Sequence, residues 1–155
     1  PGSGKFKYGD RTRRFSAALR TYPHDFGIWR DLERSVERTI AEGAHILRGH
    51  MKNVEQMCGQ CYWVNIGGFD VPCVNTPYHY ASDAAHHLLQ LDQNAPFAVA
   101  WFRRGDGVSQ FSLRSEPHRV DVSEIAKAFG GGGHRTAAGF QLDGTFDGVA
   151  IAPVN

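Results

Sequence analysis

The sequence predicts an α/β fold, a single domain on one mixed β-sheet of about five strands flanked by helices, with a long N-terminal helix and a linker arm ahead of it. Three observations predict it. Between residues 28 and 51 apolar residues recur at helical spacing. Beyond them, five short apolar or β-rich runs (residues 61–66, 69–74, 97–103, 108–114 and 139–142) are separated by glycine turns and two further helical patterns. And 155 residues, 41% hydrophobic and 21% charged, suit one domain. A chain of this size buries roughly 70% of its unfolded surface.

Residues 1–14 are polar, glycine-containing and basic, and read as an arm; Lys5, Lys7, Arg11, Arg13 and Arg14 touch a polyanion or form a solvated face. Residues 15–19 form a short helical turn that Tyr22-Pro23 stops, since the residue before proline avoids the α region. This places an inter-domain linker at residues 1–24 and a folded domain at 25–155. Asp25 caps the long helix, whose ladder is Ile28, Leu32, Val36, Ile40 and Leu47. Asp31 pairs with Arg34 on its surface, and Gly43 and Gly49 weaken its second half.

Gly67-Gly68 joins two β-rich runs as a hairpin. Pro72, lacking an N–H, predicts that the second run is an edge strand or is bulged there. Residues 78–91 read as a helix that Ser82 caps, with Ala84, Ala85, Leu88 and Leu89 on its apolar face. Residues 97–103 are a buried strand. In residues 108–114, Val108, Gln110, Ser112 and Arg114 alternate with Ser109, Phe111 and Leu113, a strand with one apolar side. Residues 120–129 are a third helix with Val122, Ile125, Ala126 and Phe129 inward and Asp121 or Ser123 as cap.

The unusual stretch follows: four consecutive glycines, Gly130 to Gly133, then His134 and Arg135. Glycine loses more backbone entropy on folding than any other residue, so such a run needs a reason. An anion supplies one. Backbone N–H groups without neighbouring Cβ atoms turn towards one point, most effectively where a helix begins. On this reading Thr136-Ala137-Ala138 starts a short helix that Gly139 ends. Arg114, at the end of a strand beside the loop, adds a fork of donors matched to two phosphate oxygens, and Ser115 starts the connection onward. The alternative pairs Arg114 with Glu116 or Asp121 on the surface. The run fits neither a Walker A loop nor a Rossmann fingerprint.

Other groups carry less. Cys58-Gly59-Gln60-Cys61 reads as small apolar residues at a sheet entrance before it reads as a redox pair or half a zinc site with Cys73, His79 or His86. His79 and His86 are seven apart and could share a helix face, whereas the neighbours His86 and His87 cannot; Asp83 is the only carboxylate near them. No triad stands out. A net charge of +1 predicts no strong overall attraction to nucleic acid. Three cysteines make no disulfide framework and point to a reducing, cytoplasmic setting. No apolar run reaches the ~20 residues of a membrane-spanning helix, and no signal peptide is visible. The first residue is Pro1, which suggests a chain processed or cut from something longer.

Ser112-Leu113-Arg114-Ser115, Val120-Asp121-Val122-Ser123, and the stretch from Phe129 to Phe140 around the glycine-histidine run resemble one family. This is the C-terminal, substrate-binding (DHH-associated) domain of the Asp-His-His phosphoesterases, which include RecJ-like exonucleases, oligoribonucleases and cyclic-dinucleotide phosphodiesterases. A related domain occurs in alanyl-tRNA synthetase. The weaker similarity extends from about residue 15 to 140. The resemblance implies that Gly131, Gly132, Gly133 and His134 hold a substrate phosphate with Arg114 assisting; Ser115 and Arg135 complete the candidate set. It implies that catalytic metals, usually manganese, sit in a separate N-terminal DHH domain, whose Asp-x-Asp and Asp-His-His motifs this sequence lacks. The chain is then the substrate-clamping half of a two-domain hydrolase, without a metal of its own, taking a nucleotide or short single-stranded nucleic acid and inactive alone. The alternative is a stand-alone nucleotide or single-strand binding module, with Trp63, Trp101 and Phe102 as stacking candidates.

Overall fold

The computed structural model describes residues 9–144 and 146–151. Lys5 and Lys7 of the basic arm lie outside the described residues. The chain divides into two compact units, Pro1–Asn53 and Val54–Asn155.

The first unit contains α1 (Asp10–Leu19), α2 (Phe26–Arg34) and most of α3 (Val36–Cys58), which continues into the second. Helix α1 starts five residues earlier than the sequence predicts, so residues 10–14 are helix rather than linker. Asp10 sits in its first turn and pairs with Arg14 at i+4, favourable against the helix dipole. Asp25 caps α2, its Oδ1 accepting from the Ile28 N–H at 3.0 Å. The single long helix of the sequence reading is two helices, because Ser35 leaves helical geometry (φ −116°, ψ 40°). The apolar ladder runs across this break, so periodicity alone cannot reveal it. Val36, the rung beside the break, is exposed while Leu32 and Ile40 are buried. Gly43 is buried where the α1 backbone meets α3; a Cβ there would lie 1.8 Å from the Arg14 carbonyl oxygen.

The second unit is built on a mixed sheet ordered β5-β6-β4-β3-β2-β1-β7. In chain order these are β1 (Tyr62–Ile66), β2 (Phe69–Asn75), helix α4 (Tyr78–Leu91), β3 (Ala98–Arg103), β4 (Val108–Arg114), helix α5 (Val122–Ala128), β5 (Gly132–His134), β6 (Ala137–Asp143) and β7 (Ala150–Ile151). The β1–β7 and β2–β3 pairs are parallel and the rest antiparallel. Among the described residues seven strands replace the expected five, because β5 and β7 span only three and two residues, too short to show alternation. Gly67 and Gly68, both at positive φ (60° and 89°), make the tight turn between β1 and β2. Strand β2 is interior rather than an edge. Pro72 is tolerated because β3 pairs with it only from Cys73 onward.

Helices cover both faces. On one, α5 delivers Val122 and Ala126 onto Val99, Phe111, Leu113, Ala138 and Phe140 in the main apolar core. Phe111 and Phe140 stack at 4.7 Å, and Phe129 stacks on Phe140 at 4.4 Å. On the other, α4 packs on β2, β3 and β4, burying Ala81, Ala84, Ala85, Leu88 and Leu89. The Cys58 thiol at the end of α3 donates to the Ala84 carbonyl.

Candidate functional site

The glycine run ends a helix instead of beginning one. Phe129 caps α5, and Gly130 (φ +75°) and Gly131 follow it. The Gly130 N–H donates to the Lys127 carbonyl at 2.9 Å and the Gly131 N–H to the Ala126 carbonyl at 2.8 Å. This pair of bonds is a Schellman termination, which satisfies the last carbonyls of α5 and uses glycine for its left-handed residue. The expected short helix from Thr136 is absent. The chain instead enters β5, turns at Arg135-Thr136 and returns as β6. Phe-Gly-Gly after an apolar helical stripe is a stop signal as readily as glycines are a helix start, and here the stop wins.

The glycines are therefore needed for different reasons. A Cβ on Gly131 would lie 2.2 Å from the Gly139 carbonyl oxygen; Gly133 has φ +146°, and a Cβ there would sit 2.5 Å from the Ala138 Cα. A Cβ on Gly139 would meet the Phe111 carbonyl oxygen at 2.7 Å. Gly132 differs: its Cβ would meet nothing within 4 Å. The fold makes no demand for glycine there.

Register brings the remaining candidates together. Arg114 pairs with Ala137 and Ala137 with His134, so these side chains share a face across β4, β6 and β5. One step along, Ser112, Gly139 and Gly132 form a second row. This is the face that α4 covers over β2 to β4. Over β6 and β5 it carries small or exposed residues, with Ala137, Gly139 and Gly132 half-buried and His134 exposed. The result is a strip with a floor of small residues and an edge strand at its border, where alternate N–H groups turn away from the ladder.

Arg114 borders the strip from β4. Its Nε and Nη2 donate to the Ser82 hydroxyl oxygen at 3.2 and 3.0 Å, and its Nη1 to the Leu113 carbonyl at 2.8 Å. These partners are a hydroxyl and a carbonyl, not the Glu116 or Asp121 carboxylates of the alternative reading. Burial lowers its pKa, with Asp83 pulling the other way. The guanidinium remains a cation at any relevant pH, half-dried and held in place, which suits it to an anion. Ser82, expected as a cap, lies inside α4, which starts at Tyr78; its role as a rest for Arg114 has no signal in local sequence.

Two expected residues have their side chains occupied elsewhere. Ser115 is buried and donates to the Val120 carbonyl at 2.6 Å. Arg135 donates to the carbonyls of Pro117 and Arg119 and to Asp121, each at 3.2–3.3 Å, fastening the β5–β6 turn to the start of α5. Asp121 is the α5 cap; its Oδ1 accepts from the Ser123 N–H at 3.0 Å and hydroxyl at 2.6 Å. The Ser123 hydroxyl is the main influence that lowers the Asp121 pKa. A depression of 480 Å³ lies beside Arg119, which spans it by donating to the Asp92 and Ala95 carbonyls, so Arg119 acts there as a strut.

The cysteines are free: Cys58 and Cys73 are buried and Cys61 is exposed. Burial pushes the Cys58 thiol up to about 11 and Cys73 to about 12, the wrong direction for a redox nucleophile. Among the described residues no three of His, Cys, Asp or Glu converge on a point that could hold a metal ion, and no helix is long and apolar enough to cross a membrane.

A mixed sheet with helices on both faces, a glycine-rich hairpin at one edge and an arginine resting on Ser82 beside it make this an α/β domain. Residues 79–148 match the model of the DHHA1 domain. An uncharacterized protein of Acanthamoeba polyphaga mimivirus is 41% identical over 71 residues, 45% of this chain and 17% of that protein. Among solved structures, a pGpG-specific phosphodiesterase from Vibrio cholerae aligns with a TM-score of 0.56 at 11% identity, covering 86% of this chain and 51% of the other. An exopolyphosphatase-related protein from Bacteroides fragilis aligns at 0.44 and 15%, covering 80% and 40%. The chain thus spans about one sixth of the length of the curated relative, and 51% and 40% of these two solved chains.

Proposed function

We propose that this chain is the substrate-binding part of a metal-dependent DHH-family phosphoesterase and holds a phosphate of a nucleotide or short single-stranded oligonucleotide. Arg114 is the principal cation. His134, in register with it across Ala137, is a second donor, and Gly132 leaves room for a phosphate oxygen to approach the β5 backbone. Ser115 and Arg135 shape the adjoining loop. The observation that carries the reading is Arg114 itself, a half-buried guanidinium fixed on a hydroxyl beside an uncovered floor of glycine and alanine.

On this proposal the manganese of such enzymes is held outside this chain. The phosphoester is attacked in a companion N-terminal DHH domain, and this chain supplies binding and orientation, which lower the barrier without touching the reacting bond. Exonuclease and oligoribonuclease activities belong to the same proposal, as does a cytoplasmic setting, to which three free thiols are suited. The test is calorimetric titration of the chain with a nucleoside monophosphate. Arg114→Ala is expected to weaken binding by about tenfold or more, the range for a lost charge-assisted contact, with an unchanged melting temperature. An unchanged dissociation constant removes Arg114 from the site.

A further inference from the structure

We propose that Tyr78, braced by Phe102, stacks the base of the nucleotide whose phosphate rests at Arg114, so that this chain reads a base as well as a phosphate. The inference builds on the phosphate-binding reading above and adds a second subsite to it.

Phe102 on β3 pairs with Gln110 on β4, which pairs with Gln141 on β6. This row lies on the same sheet face as Ser112 and Arg114, further along the strands. Tyr78, the first residue of α4, lies against Phe102 with ring centroids 5.8 Å apart and planes tilted by 60°. Tyr78 is nonetheless 65% exposed, so the contact uses one part of its ring and leaves the rest to water. Tyr78 and Ser82 are four residues apart on α4 and share a helix face, separated by roughly 6 Å of rise. Ser82 is the hydroxyl on which Arg114 rests. Tyr78, Ser82 and Arg114 therefore follow one another along a single border.

An exposed ring already fixed by another ring loses little freedom when a base settles on it, and base–aromatic stacking tolerates any base because each has a π-face. Gln110 is half-buried and Gln141 exposed, and their amides are both donors and acceptors suited to a base edge. The other stacking candidates are placed differently. Trp101 faces the core, donating from Nε1 to the Tyr62 hydroxyl at 2.7 Å and packing edge-on against Phe146. Trp63 is on β1, separated from β4 by β2 and β3.

The experiment titrates the 155-residue chain and its Tyr78→Ala, Tyr78→Trp and Arg114→Ala variants with adenosine 5′-monophosphate and with ribose 5-phosphate. Tyr78→Ala is expected to weaken the nucleotide about tenfold and leave ribose 5-phosphate unchanged, with Tyr78→Trp retaining nucleotide affinity. Arg114→Ala is expected to weaken both ligands. Nucleotide affinity untouched by Tyr78→Ala overturns the stacking subsite and leaves the phosphate reading standing. Equal weakening of both ligands by Tyr78→Ala also overturns it, because the residue is then structural. Failure of the unsubstituted chain to bind either ligand overturns the phosphate reading and this inference with it.

Discussion

At Gly132 the fold leaves space that a methyl group could fill, whereas at Gly131 and Gly133 it does not. Alanine substitutions should therefore separate folding from binding along three consecutive residues. Gly131→Ala and Gly133→Ala are expected to lose roughly 1–3 kcal/mol, through backbone overlap in both and strain at positive φ in the second. Gly132→Ala should keep wild-type stability yet bind a nucleoside monophosphate more weakly. Denaturant titration alongside calorimetry checks this, and a destabilised Gly132→Ala would make that glycine structural as well. Thiol chemistry offers a second residue-level check. Cys61 should react with a thiol reagent in the native protein, while Cys58 and Cys73 react only on unfolding. Residue types were largely legible in the sequence: the glycine run, Arg114 and His134 stand out by composition and position. Their partners were not, because Ser82 meets Arg114 across 32 positions of chain, and only tertiary structure joins them.

Among the elements, α5 shows best what local sequence specifies. Its stripe, its Asp121 cap and its glycine stop can all be read from a dozen residues. The cap carries a pH dependence. Because the Asp121 carboxyl is held below its unfolded-state pKa, its stabilisation is present above that unfolded value and is lost as pH falls through the lower folded one. Asp121→Asn should flatten the acid limb of a melting-temperature profile; an identical limb would show that the cap contributes nothing to it. Helix α3 teaches the opposite lesson. Gly43 looks like a weakness by helix propensity, yet it is where the backbone of α1 passes. Gly43→Ala is expected to destabilise by roughly 1–3 kcal/mol, although alanine is the better helix former. Thermal unfolding decides, since propensity alone predicts a gain. The division into α2 and α3 was hidden for a related reason: one residue out of helical geometry at Ser35 leaves the apolar ladder in phase.

For the molecule as a whole, the α/β class followed from alternating strand and helix patterns, which register long elements well. Strand order did not follow. The β2–α4–β3 crossover places β3 at the centre of the sheet; β4, β6 and β5 run outward from it to one margin, and β7 reaches the other margin in parallel with β1. These are long-range pairings that no window of sequence contains. At this scale the proposed function predicts that the chain binds nucleotide but does not hydrolyse a dinucleotide, with or without added manganese; measured turnover by the purified chain would count against it. The outward margin has one more implication. A guest lying there meets protein from below and along one flank, while its remaining sides stay wet. On the proposed function, water would screen each charge contact, so that grip by this chain alone would be loose and release quick. Firm hold requires something to close over the guest from above, and a surface shaped this way is suited to handing its cargo on rather than keeping it.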